Sequence, residues 1–254
     1  MRKFVENCEV ISNRTVAENI FLLKVRSENI PRNSSPGQFC EILIDSVKPF
    51  WRRPFSISDA GNDWLEFMIE VVGSGTEYLS QKKAGDTVNI IGPLGNGFNI
   101  KGKFDIAIIV AGGIGIAPFP FLSKKLFQSG RDVLRVAGFS TKKKIPKTIG
   151  NEYVISTDDG SKDFHGNVVM LLEHLLMATI YLKTKAFACG PMPMLREVKK
   201  FFEKKNVELE VSVETEMACG IGLCQGCVIE NAENKGYSLV CKDGPVFDAK
   251  KIVL

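Results

Sequence analysis

Residues 104–118, FDIAIIVAGGIGIAP, join a largely apolar run to a glycine-rich turn, and this junction decides the fold. Such a run predicts a strand that is buried on both faces of a parallel sheet. The proline at its end suits the first turn of a helix, although it replaces the third glycine of the dinucleotide fingerprint G-x-G-x-x-G. The stretch therefore predicts a nucleotide-binding turn, with an ordinary tight turn of an α/β domain as the alternative. The candidate binding residues are Gly112, Gly113, Gly115 and Pro118.

Strands and helices alternate from residue 99 to residue 212. The predicted strands are Phe104–Ala111, Val133–Phe139, Tyr153–Ser156 and Lys185–Cys189, and the predicted helices are Pro118–Gln128, Asn167–Met177 and Met194–Lys205. This alternation predicts a parallel α/β domain that binds ligands at the carboxyl ends of its strands. Cys189 and Gly190 end one of these strands and are further candidates for the nucleotide site. The thiol of Cys189 either faces the nicotinamide or packs as a small side chain.

Residues 1–98 have a different pattern, in which short β-branched or aromatic stretches are separated by turn signals. The predicted strands are Phe4–Ile11, Ile20–Arg26, Gln38–Asp45, Trp64–Val72 and Thr87–Ile91. The turns between them include Pro36-Gly37 and Ala84-Gly85-Asp86. Short strands at this spacing predict a closed antiparallel barrel, which leaves no exposed sheet edge.

Two short motifs in the barrel segment indicate a flavin. In Arg53-Pro54-Phe55-Ser56, an arginine and a serine three residues apart on a strand can place a guanidinium on a pyrophosphate and a hydroxyl near the isoalloxazine ring. Downstream, Gly73-Ser74-Gly75-Thr76 offers unhindered N–H groups and a hydroxyl before a short helix, which favours a phosphate cradle. Either motif alone is also compatible with an ordinary strand end or turn. Together, in this order, they favour a flavin site.

Four of the seven cysteines fall near the end of the chain, in a C-x4-C-x2-C-x13-C spacing. They are Cys219, Cys224, Cys227 and Cys241. The first three match the plant-type [2Fe–2S] ferredoxin run, and the glycines between them let the loop wrap around a negatively charged cluster. Structural zinc and plain buried cysteines are the alternatives, but zinc sites usually present paired C-x2-C knuckles. The chain has only 2 histidines, which disfavours a mechanism that uses histidine as an acid, a base or a zinc ligand.

Composition argues against several other classes of protein. The net charge of +4 is small and the lysines are scattered, which disfavours nucleic-acid binding. The longest apolar runs are far shorter than a membrane span, and the N-terminus MRKFVENCEV lacks the apolar core of a signal peptide. We therefore expect a cytoplasmic protein that binds neither nucleic acid nor membrane.

Taken together, the motifs resemble the ferredoxin–NADP reductase superfamily over nearly the full length of the chain. Within it, the chain looks most like the electron-transfer subunit of class B dihydroorotate dehydrogenase. The motifs that carry the resemblance are RPFS at 53–56, GSGT at 73–76, GPLGNGF at 92–98, AGGIGIAP at 111–118, STDDGS at 156–161, ACGP at 188–191, MACGIGLCQGC at 217–227 and VCKDGPVF at 240–247. In this branch of the superfamily a barrel is followed by a nucleotide domain and then by a [2Fe–2S] segment, here at 213–254. This order distinguishes it from reductases that lack a cluster.

The resemblance implies FAD, a [2Fe–2S] cluster and NAD(H) as co-substrate. It also implies an FMN-containing TIM-barrel partner, in a heterotetramer with two copies of each subunit. That partner would oxidise dihydroorotate to orotate in pyrimidine biosynthesis, and this chain would pass the electrons to NAD+. No catalytic side chain is expected here, because the cofactors carry the chemistry. The implied FAD contacts are Arg53, Pro54, Phe55, Ser56, Met68, Ile69, Glu70, Gly75 and Thr76. Glu70 departs from the family pattern, which often has a basic residue at this position, and an acid beside the pyrophosphate would repel it.

The sequence leaves two other functions open. A FAD/[2Fe–2S] subunit of a ferredoxin-dependent transhydrogenase or of a sulfide dehydrogenase has the same three-part layout. A non-catalytic redox sensor would keep the cluster, but NADH would not bleach its flavin. The choice between NAD and NADP is open as well, because Lys142, Lys143 and Lys144 would either meet a 2′-phosphate or form a solvated loop. The family resemblance favours NAD.

Overall fold

A computed structural model of the protein describes residues 2–45, 51–176, 183–233 and 236–254, which form two seven-stranded sheets and one two-stranded sheet. The strands of the first sheet are β1 (Phe4–Ala17), β2 (Ile20–Arg26), β3 (Phe39–Ile44), β4 (Trp51–Ser56), β5 (Asp59–Ala60), β6 (Trp64–Glu70) and β7 (Thr87–Leu94), and the helix α1 (Ser74–Ser80) lies between the last two in the chain. Those of the remaining chain are β8 (Ile106–Gly112), α2 (Phe119–Gln128), β9 (Asp132–Phe139), β10 (Val154–Thr157), β11 (Phe164–His165), α3 (Val168–Leu175), β12 (Thr184–Cys189), α4 (Met192–Lys204), β13 (Glu208–Ser212), β14 (Val228–Glu230), β15 (Tyr237–Leu239) and β16 (Val246–Asp248).

The first sheet curls into an antiparallel barrel in the order β4-β3-β7-β1-β2-β6-β5. Its two ends, β4 and β5, are halves of one bent segment, so the sheet meets itself at the bend. On one side of the bend, Ile57 donates its N–H to the Gln38 carbonyl (3.0 Å), and on the other Ser58 donates to the Glu66 carbonyl (2.8 Å). The predicted barrel is confirmed, and the bend brings the RPFS strand close to β6.

The second sheet has the order β11-β10-β9-β8-β12-β13-β16, and its strands from β11 to β13 are parallel. The central strand, β8, is buried along nearly its whole length, as its apolar sequence predicts. The central strands end at one level, since Gly112 pairs with Gly138 of β9 and Ala111 pairs with Cys189 of β12. The predicted parallel α/β fold is confirmed, and the glycine turns share one edge of the sheet.

The cysteine-rich segment is attached to both sheets. β16 pairs antiparallel with β13 at the edge of the second sheet, while β14 and β15 form a separate hairpin. Cys227 and Cys241 lie in a hydrophobic core that also contains Phe39 and Leu94 of the barrel. The division of the chain at residues 98 and 212 stays a prediction.

The helix predicted over residues 167–177 begins one residue later, as α3. The side chain of Asn167 caps it, because its Oδ1 accepts hydrogen bonds from the N–H groups of Val169 (2.9 Å) and Met170 (3.0 Å). The predicted end of this helix, Met177, lies outside the described residues.

Other boundaries also differ from the expectations. α4 begins at Met192, two residues before its predicted start, because Pro191 precedes it in the N-cap position. β13 and β16 have no counterpart among the predicted strands, although the alternation of acidic and apolar residues over Glu208–Val211 is typical of a strand. Among the described residues, no helix is long and apolar enough to cross a membrane.

Candidate flavin, nucleotide and iron–sulfur sites

One cleft, here called the flavin cleft, opens between β4, the end of β6 and the segment that follows β13. The predicted residues that line it are Pro54, Phe55, Ser56, Met68, Ile69, Glu70 and Thr76. They come together because the bend of the barrel brings β4 next to β6. Ile114 and Ala117, from the glycine-rich turn of the second sheet, line the same cleft. Most of the residues expected to contact FAD are therefore gathered at one place.

The other two expected contacts, Arg53 and Gly75, lie beside the flavin cleft rather than on its wall. Nε of Arg53 is 3.9 Å from the position that a Cβ on Gly75 would occupy. The Thr76 hydroxyl is engaged within its own turn, where it accepts from the N–H groups of Val72 (2.9 Å) and Gly73 (3.2 Å). These two N–H groups are already satisfied, and the Arg53 guanidinium beside Gly75 stays a candidate phosphate-binding group of the predicted cradle.

One wall of the flavin cleft was missed by the sequence analysis. It consists of Ser212, Val213, Glu214, Thr215 and Met217. Oγ1 of Thr215 is buried without a hydrogen-bond partner among the described residues, which leaves a polar group for a ligand. A largely apolar cleft with a few polar groups fits a flavin ring, which has apolar faces and polar edges. The position of this segment could have indicated a ligand site. It lies at the carboxyl end of β13, and a parallel sheet binds its ligands at the carboxyl ends of its strands.

The same wall holds an acidic group. Glu214 is an exposed residue, but the protein packed around its carboxyl raises the pKa of that group. Glu214 also lines a neighbouring cleft with Gly113 and Gly190, so it stands between the flavin cleft and the glycine turns.

A second cleft, here called the nucleotide cleft, lies at the carboxyl edge of the second sheet. The predicted residues that line it are Gly112, Gly113, Gly115 and Gly190. The two glycine turns pack so closely that a Cβ on Gly115 would lie 2.5 Å from the carbonyl oxygen of Cys189. Gly113 has a φ of +54°, which favours glycine. Pro118 does not line the cleft; it occupies the N-cap position of α2.

Three polar side chains of the nucleotide cleft were not among the predicted site residues. They are Ser140, Asp158 and Asn167. Lys144, which the sequence left open between a phosphate contact and a solvated loop, lines the cleft as well. Ser140 and Asp158 directly follow β9 and β10, where a parallel sheet binds its ligands. Glu70 and Ile114 line both clefts, so the flavin cleft and the nucleotide cleft are continuous.

Glu70 is paired with a cation from the second half of the chain. Nζ of Lys144 lies 2.6 Å from Oε1 of Glu70, and each side chain is one-quarter exposed. The repulsion that the sequence predicts between Glu70 and a pyrophosphate is therefore offset by a positive charge.

Cys189 is packed in the core between the glycine turns. Its side chain is buried among apolar residues that include Ala111 and Phe187. Burial, together with the nearby Glu214 carboxyl, raises the pKa of its thiol well above the ordinary value. Of the two alternatives for this residue, the structure favours packing.

The four cysteines of the C-terminal segment form two adjacent pairs. The sulfur of Cys219 accepts hydrogen bonds from the N–H groups of Leu223 (3.3 Å) and Cys224 (3.4 Å). The sulfur of Cys227 accepts from the N–H of Cys241 (3.4 Å). A [2Fe–2S] cluster places two thiolates on each iron, so paired thiols with backbone donors fit it.

The pKa values of these thiols differ with their surroundings. Burial raises the pKa of Cys219, but N–H groups of Cys224 and Ile221 that donate to its sulfur bring it down to about 6. Burial and the neighbouring Cys227 thiol raise the pKa of Cys241 to about 12. Metal binding would therefore have to displace a proton from Cys241, whereas Cys219 is readily a thiolate.

No three His, Cys, Asp or Glu side chains of the described residues are arranged to hold a single ion. A structural zinc needs four ligands around one centre, whereas a two-iron cluster spreads them over two. The pairs of Cys219 with Cys224 and of Cys227 with Cys241 would supply two thiols to each iron.

The loop from Cys219 to Cys227 lies at the surface. Cys224 is exposed, and the neighbouring Leu223 is 76% exposed. Trp51 of β4 is half exposed and donates its indole N–H to the Ala218 carbonyl (3.0 Å), which ties the barrel to the start of this loop. The exposed Leu223 and Trp51 make the surface beside this loop a candidate for protein docking.

A buried acid lies beneath the same loop. The Glu41 side chain on β3 is 1% exposed, and neither of its carboxylate oxygens has a hydrogen-bond partner among the described residues. Burial raises its pKa to about 7, although Arg52 opposes this shift. A neutral carboxyl is less costly to bury than a carboxylate, so the raised pKa follows from its position.

Comparison with known proteins agrees with this arrangement. The model of the iron–sulfur cluster binding domain of dihydroorotate dehydrogenase B matches residues 214–253. Among solved structures, a chain from the NADH-dependent reduced ferredoxin-NADP oxidoreductase has a TM-score of 0.86 and 26% identity, covering 98% of this chain and 90% of that one. The ferredoxin reductase of carbazole 1,9a-dioxygenase has a TM-score of 0.71 and 21% identity, covering 82% and 67%, which shows a shared fold.

Curated sequences give a narrower assignment. The electron transfer subunit of dihydroorotate dehydrogenase B (NAD(+)) from Caldanaerobacter subterraneus subsp. tengcongensis is 36% identical, over 96% of both chains. Its counterpart from Clostridium acetobutylicum is 38% identical, over 97% of this chain and 96% of that one. These relatives confirm the resemblance inferred from the motifs. The chain therefore belongs to the family of electron transfer subunits of dihydroorotate dehydrogenase B (NAD(+)).

Proposed function

We propose that this chain transfers electrons from the FMN of a catalytic partner to NAD+, through a [2Fe–2S] cluster and FAD, while the partner oxidises dihydroorotate to orotate in pyrimidine biosynthesis. The observation that carries the proposal is the segment that leads from the flavin cleft to the cysteine loop. Met217 lines the flavin cleft, and Cys219, a proposed cluster ligand, follows two residues later. A bound flavin and a bound cluster would thus share one short piece of chain.

The chain's own residues have binding and positioning roles in this proposal. RPFS at 53–56 and the end of β6 would hold the FAD, with Arg53 on its pyrophosphate. The glycine turns would hold the dinucleotide beside Ile114, which lines both the nucleotide cleft and the flavin cleft. When bound, the cofactors supply the exchange between two-electron hydride transfer and single-electron transfer. No side chain has to act as a general base, so no catalytic residue is assigned.

The partner is proposed to dock where the cysteine loop is exposed. Leu223 and Trp51 would contact an FMN-containing TIM-barrel subunit, with two copies of each subunit in the complex. The family resemblance suggests this assembly, and we propose that it is cytoplasmic.

Anaerobic reduction of the FAD- and cluster-loaded chain by NADH tests the proposal. We expect NADH to bleach the flavin absorbance rapidly, and the reduced cluster to appear afterwards by electron paramagnetic resonance. The variant C224S should keep the flavin bleaching but lose the cluster signal, whereas C8S, which changes a buried cysteine of the barrel, should keep both. A redox sensor would show no bleaching by NADH, and that result would reject electron transfer.

A second candidate is a subunit of a ferredoxin-dependent transhydrogenase, and the likeness to the NADH-dependent reduced ferredoxin-NADP oxidoreductase favours it. The partner distinguishes the two functions. Co-purification with an FMN-containing dihydroorotate-oxidising subunit supports the first proposal. Co-purification with a larger partner that contains further iron–sulfur clusters supports the transhydrogenase.

A further inference from the structure

Acidic side chains outnumber basic ones around the nucleotide cleft, although the proposed ligand is an anion. Among the described residues that line it, Glu70, Asp158 and Glu214 are acidic, and Lys144 is the one cation. A dinucleotide carries a negatively charged pyrophosphate, which binds best to fixed cations and backbone N–H groups. Without Lys144, three acidic side chains and no cation would line the cleft.

Lys144 is held in position from two directions. Its Nζ lies 2.6 Å from Oε1 of Glu70. The loop that carries it is joined to the barrel on both sides, because the Lys143 carbonyl accepts from the Glu18 N–H (2.9 Å) and the Lys147 N–H donates to the Val16 carbonyl (2.9 Å). An ammonium group has three donors, so a bond to Glu70 leaves others for a ligand.

We propose that Lys144 binds the pyrophosphate of the dinucleotide and that Glu70 is a positioning residue that holds the Lys144 ammonium at the cleft. This inference rests on the proposed function and extends it to a residue outside the glycine turns. Lys144 lines the nucleotide cleft together with Gly112 and Gly113, whose backbone would supply the remaining contacts. The role is binding, so it affects the affinity for the dinucleotide rather than the electron transfer that follows.

The test is a pair of equilibrium titrations on the full chain loaded with FAD and cluster. NAD+ and ADP-ribose, which has the pyrophosphate but no nicotinamide, are titrated into the wild type, K144M and K143M. Lys143 is exposed and lies outside the lining of the cleft, so K143M is the matched control. We expect K144M to weaken both ligands by about tenfold, the usual size for a hydrogen bond to a charged group. K143M should bind like the wild type.

Two further variants separate binding from folding. K144R retains the charge and should recover most of the affinity. K144M/E70Q should bind NAD+ more tightly than K144M, because it removes the acid that K144M leaves unpaired. The KM for NADH should rise in K144M while kcat stays near the wild-type value.

Other outcomes would overturn the inference. Equal affinities of K144M and K143M would show that Lys144 does not bind the dinucleotide. A loss for NAD+ but not for ADP-ribose would move the contact from the pyrophosphate to the nicotinamide end. If the proposed function itself is wrong, NADH will fail to bleach the flavin of the wild type, which is a separate observation from any difference between variants.

Discussion

Gly220 lies directly over the carboxyl of Glu41, such that a Cβ at Gly220 would lie 2.5 Å from Oε1 of Glu41. Gly220 also has a φ of +65°, a left-handed conformation that side chains rarely adopt. Glycine at this position therefore lets the cysteine loop rest on the barrel without strain or a clash.

This contact predicts that G220A damages the cluster loop. Strain and the clash with Glu41 should cost about 1–3 kcal/mol locally, which lowers iron and acid-labile sulfide content per chain. G236A is the control, because Gly236 lies outside the cysteine loop and a Cβ there would meet only Nδ2 of Asn231, at 3.8 Å, so cluster content should be unchanged. Full cluster content in G220A would contradict the close approach of the loop to Glu41.

The position of Cys189 predicts a mild effect of C189A. Because the thiol is packed in the core and its pKa is raised by burial, it should neither touch the nicotinamide nor exist as a thiolate. Removing it should cost on the order of 1 kcal/mol of unfolding free energy and leave the rate of flavin reduction by NADH unchanged. A rate that falls many-fold in stopped-flow measurements, with the protein still folded, would instead place this thiol at the nicotinamide.

Local patterns explain why much of the site could be predicted. The cysteine spacing, the RPFS strand and the run into Gly112 each lie within a short stretch, so composition and spacing are enough to identify them. β13 has the alternation of a strand, but its pairing with β16 depends on residues more than thirty positions away. The wall at 212–217 was missed for that reason, since only the folded sheet brings it opposite the RPFS strand.

The pairing of Glu70 with Lys144 illustrates the same limit for charges. Seen alone, Glu70 predicts repulsion of a pyrophosphate, and the lysine run at 142–144 predicts either a phosphate site or a solvated loop. The two residues are 74 positions apart and meet because the loop after β9 is hydrogen-bonded to the barrel. No local pattern indicates such a pair.

Glu66 predicts a pH dependence of stability. Burial raises the pKa of this β6 carboxyl above its usual value of 4.5, against the opposing effect of Lys24. Between 4.5 and the raised value, the folded protein binds more protons than the unfolded chain, so stability falls as pH rises through this window. E66Q cannot ionise, so its unfolding free energy relative to wild type should increase from pH 4 to pH 8. Denaturant titrations that give a constant difference across this range would contradict the burial of a charged Glu66.

The exposure of Leu223 predicts that the catalytic partner docks on the cysteine loop. This residue lies between two proposed cluster ligands, and its side chain is 76% exposed in the isolated chain. A buried apolar residue near the centre of an interface often contributes enough that truncation weakens binding by about tenfold or more. We expect L223S to weaken association with the catalytic partner by that factor, measured by analytical ultracentrifugation or surface plasmon resonance. Flavin reduction by NADH should be unchanged, because the nucleotide cleft does not include this residue.

Phe127 provides the matched control for this prediction. It is also a large apolar residue, 75% exposed, but it lies on α2 rather than on the cysteine loop. F127S should therefore leave association with the partner unchanged if the partner contacts the cysteine loop. If F127S and L223S weaken the complex equally, or if only F127S does, the partner does not dock where the cluster would be exposed. Electrons would then have to leave the chain by a route other than the loop at 219–227.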